Sequence, residues 1–351
     1  MYKDARRGAR GKLTAAAKFL LRSALAAFPA HGRVAAKSKG AKMRIAIMGA
    51  GALGGYFGAR LAASGADVWL IARGAHLAAM QAKGLHLHSP NGDLFLPHVQ
   101  ATDDPAQVGP VDAVLCFVKT YDLAEAAHQM QPLLGPDTVV ATFQNGVSAP
   151  GIVAKVVGAD RVLPGVARIP AEIASPGVIH HTGPGDRLIF GGQGARLERA
   201  AARLHGALNK AGTDPVLSKD IERELWDKFV LQSATSAVTS LTRLTFGQIC
   251  AEPQTEALVR RAMDETATVA RAVHPRFPAD MVTAQVDAFH GLGGTATSSM
   301  ANDLLRGRKL ELEWISGEVV RLGRLHQVPT PVHQVALAAL WPYRNGAPSP
   351  A

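Results

Sequence analysis

The sequence predicts an α/β domain on a doubly wound parallel sheet, followed by an all-helical domain. Three observations carry that expectation. A short apolar run feeds a GxGxxG turn near the amino end, continuous apolar runs of strand length recur after it, and long helical patterns with little β signal take over from Lys219. The boundaries expected are residues 1–42 for a basic leader, 43–216 for a dinucleotide-binding domain and 217–345 for a helical domain that holds substrate and dimerises.

The first strand is the run Met43-Arg44-Ile45-Ala46-Ile47-Met48, and the turn is Gly49-Ala50-Gly51-Ala52-Leu53-Gly54. An amphipathic stretch from Tyr56 to Ala63 leaves it, so the motif stands between a strand and a helix, as a Rossmann-type βαβ unit requires. Gly49 permits the tight turn, Gly51 lets backbone approach a pyrophosphate, and Gly54 lets the helix pack on the strand. A chance cluster in a chain with 35 glycines is the competing reading, and both flanks argue against it.

Asp67-Val68-Trp69-Leu70-Ile71 reads as the second strand, and the residues beyond it choose the cofactor. An acidic side chain there would take the ribose 2′-hydroxyl of NAD, whereas a nearby Arg suits the 2′-phosphate of NADP. From Val68 to Leu94 the only carboxylate is Asp93, so Arg73 argues for NADP(H). A solvated Arg on a loop is the alternative.

Ala75 to Lys83 reads as a helix, and Leu85–His88 with Asp93–Leu96 flank Pro90-Asn91-Gly92 as a hairpin inserted in the parallel pattern. Ala113–Val118 and Thr138–Phe143 are apolar throughout, as strands buried on both faces are. The Gly- and Pro-rich stretch from Arg161 to Gly192 supplies closing strands of the same domain. Helices are expected from about Asp220 to near Leu244, after Pro253, and from Leu310 to His326. Ligand is expected in the cleft outside the carboxyl ends of the strands.

Composition bounds the function. With 351 residues and 47% hydrophobic content, the chain can bury cores for two domains. Its net charge of +10 suggests a nucleic-acid partner until it is located: eleven Lys and Arg against Asp4 alone precede Met43, and the rest of the chain is balanced. No nucleic-acid partner is expected for the folded body. The leader reads as a targeting segment, as an interfacial helix, or as residues ahead of a protein proper that begins at Met43; we favour the last. Lys18 and Arg22 interrupt its apolar patch, so no membrane span is expected. Cys116 and Cys250 imply no disulfide framework and fit the cytoplasm. Among thirteen His there is no HExxH, and adjacent His180 and His181 would point to opposite faces of a strand, so no metal is expected. The apolar helical domain suggests a homodimer.

Lys119 and Asn145 stand just beyond buried strands, in Val118-Lys119-Thr120-Tyr121-Asp122 and Phe143-Gln144-Asn145-Gly146. Such positions face the cofactor, where a Lys reaches phosphate or carboxylate and an Asn bonds ribose or a substrate oxygen. A surface Lys and an Asn-Gly turn are the ordinary readings. In the helical domain Lys228, Gln232, Ser236 and Thr239 share one helix face. This polar stripe on an otherwise apolar helix suggests a cleft lining, and a partly buried Lys is a candidate general acid because burial lowers its pKa. A solvated Lys is the alternative.

These segments resemble the ketopantoate reductases (2-dehydropantoate 2-reductases), NADPH-dependent enzymes of pantothenate synthesis. The resemblance runs from Met43 to about Pro331 through GAGALGGYFGARLA, VKTYD, QNG, SPGVIHHTGPG, ELWDK and SSMANDLLRGRKLELEWISGEVV. It implies that Lys228 is the proton donor, that Glu311 orients it or the substrate, and that Ser299, twelve residues before Glu311, binds substrate. It also implies that Lys119 and Asn145 line the cofactor and substrate site. One departure stands out. The family carries Asn four and eight residues beyond the catalytic Lys, where this chain has Gln232 and Ser236, so the hydrogen-bond pattern of the pocket differs. The resemblance thus implies an NADPH-dependent 2-oxo acid reductase, ketopantoate first among its substrates. A paralogue for another 2-oxo acid is the alternative, and a non-catalytic NADP(H) sensor is a different class that the retained Lys228 and Glu311 argue against.

Overall fold

The computed structural model describes residues 42–347 except Pro184; apart from Lys42, the expected leader lies outside the described residues. In chain order the first part runs β1 (Arg44–Met48), α1 (Ala52–Ala63), β2 (Asp67–Ile71), α2 (Gly74–Lys83), β3 (Leu85–His88), β4 (Leu94–Leu96), β5 (Gln100–Thr102), β6 (Val111–Cys116), α3 (Leu123–Gln129), β7 (Leu134–Thr142), α4 (Ala149–Val157), β8 (Val162–Arg168), β9 (Ala171–Ser175), β10 (Val178–His181), β11 (Arg187–Phe190), α5 (Ala195–Lys210) and β12 (Asp214–Leu217). The second part is helical: α6 (Ile221–Thr242), α7 (Phe246–Ala251), α8 (Pro253–Val273), α9 (Met281–His290), α10 (Ser299–Leu305), α11 (Ser316–Leu325) and α12 (Pro331–Leu340).

The main sheet has eight strands in the order β12-β11-β8-β7-β6-β1-β2-β5. It is parallel from β5 through β8, then reverses: β11 is antiparallel to β8 and carries β12 parallel beside it. The apolar runs explain why the centre is covered on both sides. Ile45 and Ile47 of β1 pack into one cluster with Tyr56, Phe57 and Leu61 of α1, while Ala46 and Met48 face the other with Leu123 and Ala127 of α3.

The hairpin β3–β4 forms as expected and joins β10 and β9 in a separate four-stranded sheet, while β8 and β11 of the 161–192 stretch close the main sheet. Strand-length patterns do not say which edge a strand will join. One expectation needs correction. The expected helix from Leu310 begins only at Ser316. Backbone hydrogen bonding is diverted just before it: Lys309 bridges Asn345, and the Leu310 amide donates to the Arg344 carbonyl at 2.9 Å.

Helix α6 is the axis of the second part. Asp220 caps it by accepting from the Arg223 amide, and it ends at Arg243 in a left-handed conformation (φ 64°). Trp226, Phe229, Val230, Ala234 and Val238 enter the helical core with Val259, Met263 and Ala267 of α8. Its first turns also reach the sheet, where Leu225 packs with Val166 and Ile189. The carboxyl ends of β1, β6, β7 and β8 therefore lie along one edge, and the start of α6 rests against β8 there. Among the described residues no helix is long and apolar enough to cross a membrane.

Candidate active site

The glycine turn has the shape of a dinucleotide cradle. Gly49 adopts φ +91°, and a Cβ on it would lie 2.7 Å from the Val118 amide nitrogen, so only glycine fits. A Cβ at Gly54 would lie 2.2 Å from the Gly49 carbonyl oxygen, which is the helix-on-strand contact expected of that position. A Cβ on Gly51 would meet nothing nearer than Ile173 Cδ1 at 4.0 Å, which leaves this side of the turn open to a ligand. Helix α1 has no side-chain cap and no acid in its first turn, so its leading N–H groups are free for a pyrophosphate. Arg73 stands just past β2 at the start of α2, exposed, with its guanidinium donating to Gln129 Oε1 at 2.8 Å. The residues present fit a dinucleotide.

The structure brings Lys119, Asn145, Lys228 and Glu311 together. Beyond β6, Lys119 Nζ lies 3.0 Å from Asp303 Oδ2 and 3.3 Å from Glu311 Oε2. Glu311 is 4% exposed and accepts at Oε1 from both the amide and the hydroxyl of Thr120, at 3.0 and 2.9 Å. Beyond β7, Asn145 donates through Nδ2 to Glu311 Oε2 at 3.2 Å and accepts at Oδ1 from Lys228 Nζ at 3.1 Å. A second contact, Nζ to the Ala167 carbonyl at 3.1 Å, fixes Lys228 against the end of β8.

The charges in this array differ in kind. Burial opposes the charge on Lys119, but Glu311 and Asp303 outweigh it and raise its pKa. Burial likewise opposes ionisation of Glu311, and Lys119 with the Thr120 and Asn145 donors outweighs it, so its pKa falls below the usual glutamate range. Lys228 has no such carboxylate in contact. Burial, and secondarily the charge of Arg168, lower it to about 8 despite the opposing influence of Glu311. An ammonium in that range donates a proton near neutral pH, and its neighbours Asn145 and Ala167 accept hydrogen bonds without taking the proton.

The rest of the stripe behaves less uniformly. Gln232 Oε1 accepts from the Gly146 amide at 3.4 Å. Ser236 is 2% exposed and makes no side-chain hydrogen bond among the described residues. Thr239 Oγ1 shares a 2.7 Å bond with Ser298 Oγ, the N-cap of α10, while neighbouring Ser299 is exposed on its first turn. Glu311, implied by resemblance to orient Lys228 or the substrate, makes no direct hydrogen bond with Lys228; Asn145 stands between them.

Sequence reasoning missed Asp303, Thr120, Ser298 and Arg168. Thr120, Ser298 and Asp303 fall within segments that carry the resemblance without being singled out there, whereas Arg168 belongs to no short spacing that marks it. Among the described residues no group of three or more His, Cys, Asp or Glu is placed to hold a metal.

Comparison with known proteins follows the same division of the chain. Residues 45–192 match the family model "Ketopantoate reductase PanE/ApbA", and residues 220–343 match "Ketopantoate reductase PanE/ApbA C terminal". A 2-dehydropantoate 2-reductase of Mesorhizobium japonicum is 33% identical over 317 residues, covering 84% of this chain and 96% of that protein. The crystal structure of a PanE/ApbA family ketopantoate reductase from Ralstonia eutropha superposes with a TM-score of 0.79 at 33% identity, over 86% of this chain and 98% of that one. A D-mandelate dehydrogenase solved with NADH and anilino(oxo)acetate shares the fold, with a TM-score of 0.78 at 24% identity, over 86% of this chain and 98% of that one.

Proposed function

This chain belongs to the ketopantoate reductase family PanE/ApbA, an oxidoreductase family, and from that membership we propose that it reduces a 2-oxo acid with NADPH, 2-dehydropantoate being the first candidate. The observation that carries the proposal is Lys228, an ammonium lowered to about 8 and anchored by Asn145 and the Ala167 carbonyl. When hydride adds to the carbonyl carbon of a 2-oxo acid, the carbonyl oxygen becomes an alkoxide that needs a proton, and in this reading Lys228 Nζ supplies it.

When bound at the glycine cradle, a reduced nicotinamide supplies the hydride. The leading amides of α1 would hold its pyrophosphate, and Arg73, with no carboxylate at the end of β2 to take a ribose 2′-hydroxyl, would favour the 2′-phosphate of NADP. Lys228 gives its proton to the carbonyl oxygen as the alcohol forms. Asn145 keeps the ammonium aimed by accepting from it at Oδ1 while its own amide is fixed on Glu311. Glu311 in turn positions Lys119 and the Thr120 loop, and Ser299 on α10 meets the substrate.

The identity of the acid rests on Gln232 and Ser236. With the Gln232 amide oxygen engaged by Gly146 and Ser236 offering one short hydroxyl, the pocket has fewer amide groups for a hydroxylated substrate than the family pattern provides. That favours, as the second reading, a paralogue acting on a 2-oxo acid with a more apolar side chain. Oxidation of NADPH and of NADH by purified protein, with 2-dehydropantoate beside other branched and aromatic 2-oxo acids, tests both. Selective turnover of 2-dehydropantoate supports the first, selective turnover of another acid supports the second, and no turnover of any 2-oxo acid contradicts both.

A further inference from the structure

Arg168 ends β8, next to the residue whose carbonyl holds Lys228. Its side chain shares a face with Val166, two residues back, and Val166 packs against Leu225 of α6, so Arg168 lies on the helix side of the sheet. It is exposed and, among the described residues, has no ion pair or hydrogen bond. Directly opposite on β11 stands a second cation, Arg187. Like charges across an antiparallel pair repel. Arg187 is answered by Asp214 at 2.6 Å, and Glu172, just along the chain, is met by Arg306 at 3.8 Å. The Arg168 side chain has no such partner among the described residues, and its charge reaches Lys228.

The charge balance of the site points the same way. The cations of the array are already engaged: Lys119 meets Asp303 and Glu311, Arg308 meets Asp303 at 3.9 Å, and Lys228 is held by Asn145 and the Ala167 carbonyl. A 2-oxo acid brings a third carboxylate into the cleft. An anion taken from water needs a counter-charge. Ser299 offers a neutral hydroxyl, whereas a guanidinium offers charge and a planar pair of donors matched to a carboxylate.

We propose that Arg168 is a substrate-binding residue, its guanidinium taking the carboxylate of the 2-oxo acid whose carbonyl faces Lys228. This rests on the reductase reading. The test compares Arg168→Gln and Arg168→Lys with the parent chain on a 2-oxo acid and on its neutral methyl ester, with NADPH affinity measured alongside. A charge-assisted bond corresponds to a rise in KM for the acid of about tenfold to hundredfold in Arg168→Gln, with the ester and NADPH affinity unmoved and Arg168→Lys in between. Equal changes for acid and ester, or a change in kcat and its pH profile with KM unmoved, would overturn it; the latter would mean that Arg168 acts only through the charge on Lys228. Direct binding of oxamate, an unreactive 2-oxo acid mimic, separates two failures. If the parent binds or reduces 2-oxo acids and Arg168→Gln does so equally well, the assignment of Arg168 fails alone. If the parent neither binds oxamate nor reduces any 2-oxo acid, the reductase reading fails and takes this inference with it.

Discussion

Lys228 Nζ donates to Asn145 Oδ1 across 3.1 Å, and this contact joins the first helix of the helical part to the loop after β7. Because Asn145 Nδ2 is itself fixed on Glu311, the amide has no freedom to flip away, and the proposed proton donor is aimed by a group that cannot accept its proton. Asn145→Ala is expected to lower kcat by about tenfold to hundredfold, since misplacing a general acid forfeits part of its contribution. Steady-state turnover with saturating acid and NADPH checks this; unchanged kcat would remove Asn145 from the positioning of Lys228.

Lys228 should cost the fold stability at neutral pH. Its folded pKa of about 8 lies below the unfolded value of 10.5, so the unfolded chain binds more protons between the two, and stability rises with pH across that window. Replacement by Met removes a desolvated ammonium. Lys228→Met should therefore be more stable than the parent at neutral pH by up to about 3 kcal/mol, taking 1.36 kcal/mol per pKa unit as an upper bound, with the gap closing as pH rises through the window. Urea unfolding at several pH values measures it. A variant less stable than the parent at neutral pH would contradict the assignment.

Glu311 behaves in the opposite sense. Its folded pKa is depressed, so its contribution is present above the ordinary glutamate pKa and is lost as pH falls through the folded value. Glu311→Gln should flatten the acid side of the stability profile. It should also move the alkaline limb of activity to lower pH, because Glu311 supports the charge on Lys228. Acid unfolding curves and pH–rate profiles of the two proteins read both effects; identical curves would mean that the carboxylate is not the charge that matters.

Gly146 marks where the Asn145 loop meets the segment that carries Glu311. It adopts φ +87°, and a Cβ there would lie 2.8 Å from the Trp314 carbonyl oxygen. Gly146→Ala should destabilise the protein by about 1–3 kcal/mol through overpacking and backbone strain. It should lower turnover more than it weakens NADPH binding, which thermal unfolding and cofactor titration together resolve.

Under the proposed function, Gln232 and Ser236 set the acid preferred. The double change Gln232→Asn and Ser236→Asn restores the family's pair of amides and should raise kcat/KM for 2-dehydropantoate relative to an unhydroxylated 2-oxo acid by about tenfold or more, the scale of one added hydrogen bond to a substrate hydroxyl. An unchanged ratio would place the determinant elsewhere in the cleft.

Local signals made most of this fold legible. The GxGxxG turn between a strand and a helix, and apolar runs long enough for strands but too short for helices, located β1, β2, β6 and β7 and the loops that carry Lys119 and Asn145. Helical spacing placed Lys228 and Gln232 on one face of α6. What stayed hidden depends on distant partners. The second sheet exists because β10 finds β3, and residues 310–315 avoid a helix because the backbone pairs with residues 344 and 345 while Thr120 takes the Glu311 carboxylate. Asp303 and Arg168 gain meaning only from what folding sets beside them.

The most direct test of the central claim, that Lys228 donates the proton in 2-oxo acid reduction, is the pH dependence of kcat/KM for the preferred acid at saturating NADPH. The expected profile is level below about 8 and falls tenfold per pH unit above it, as the ammonium is lost. A profile that stays level well above that value would mean that the proton comes from another group.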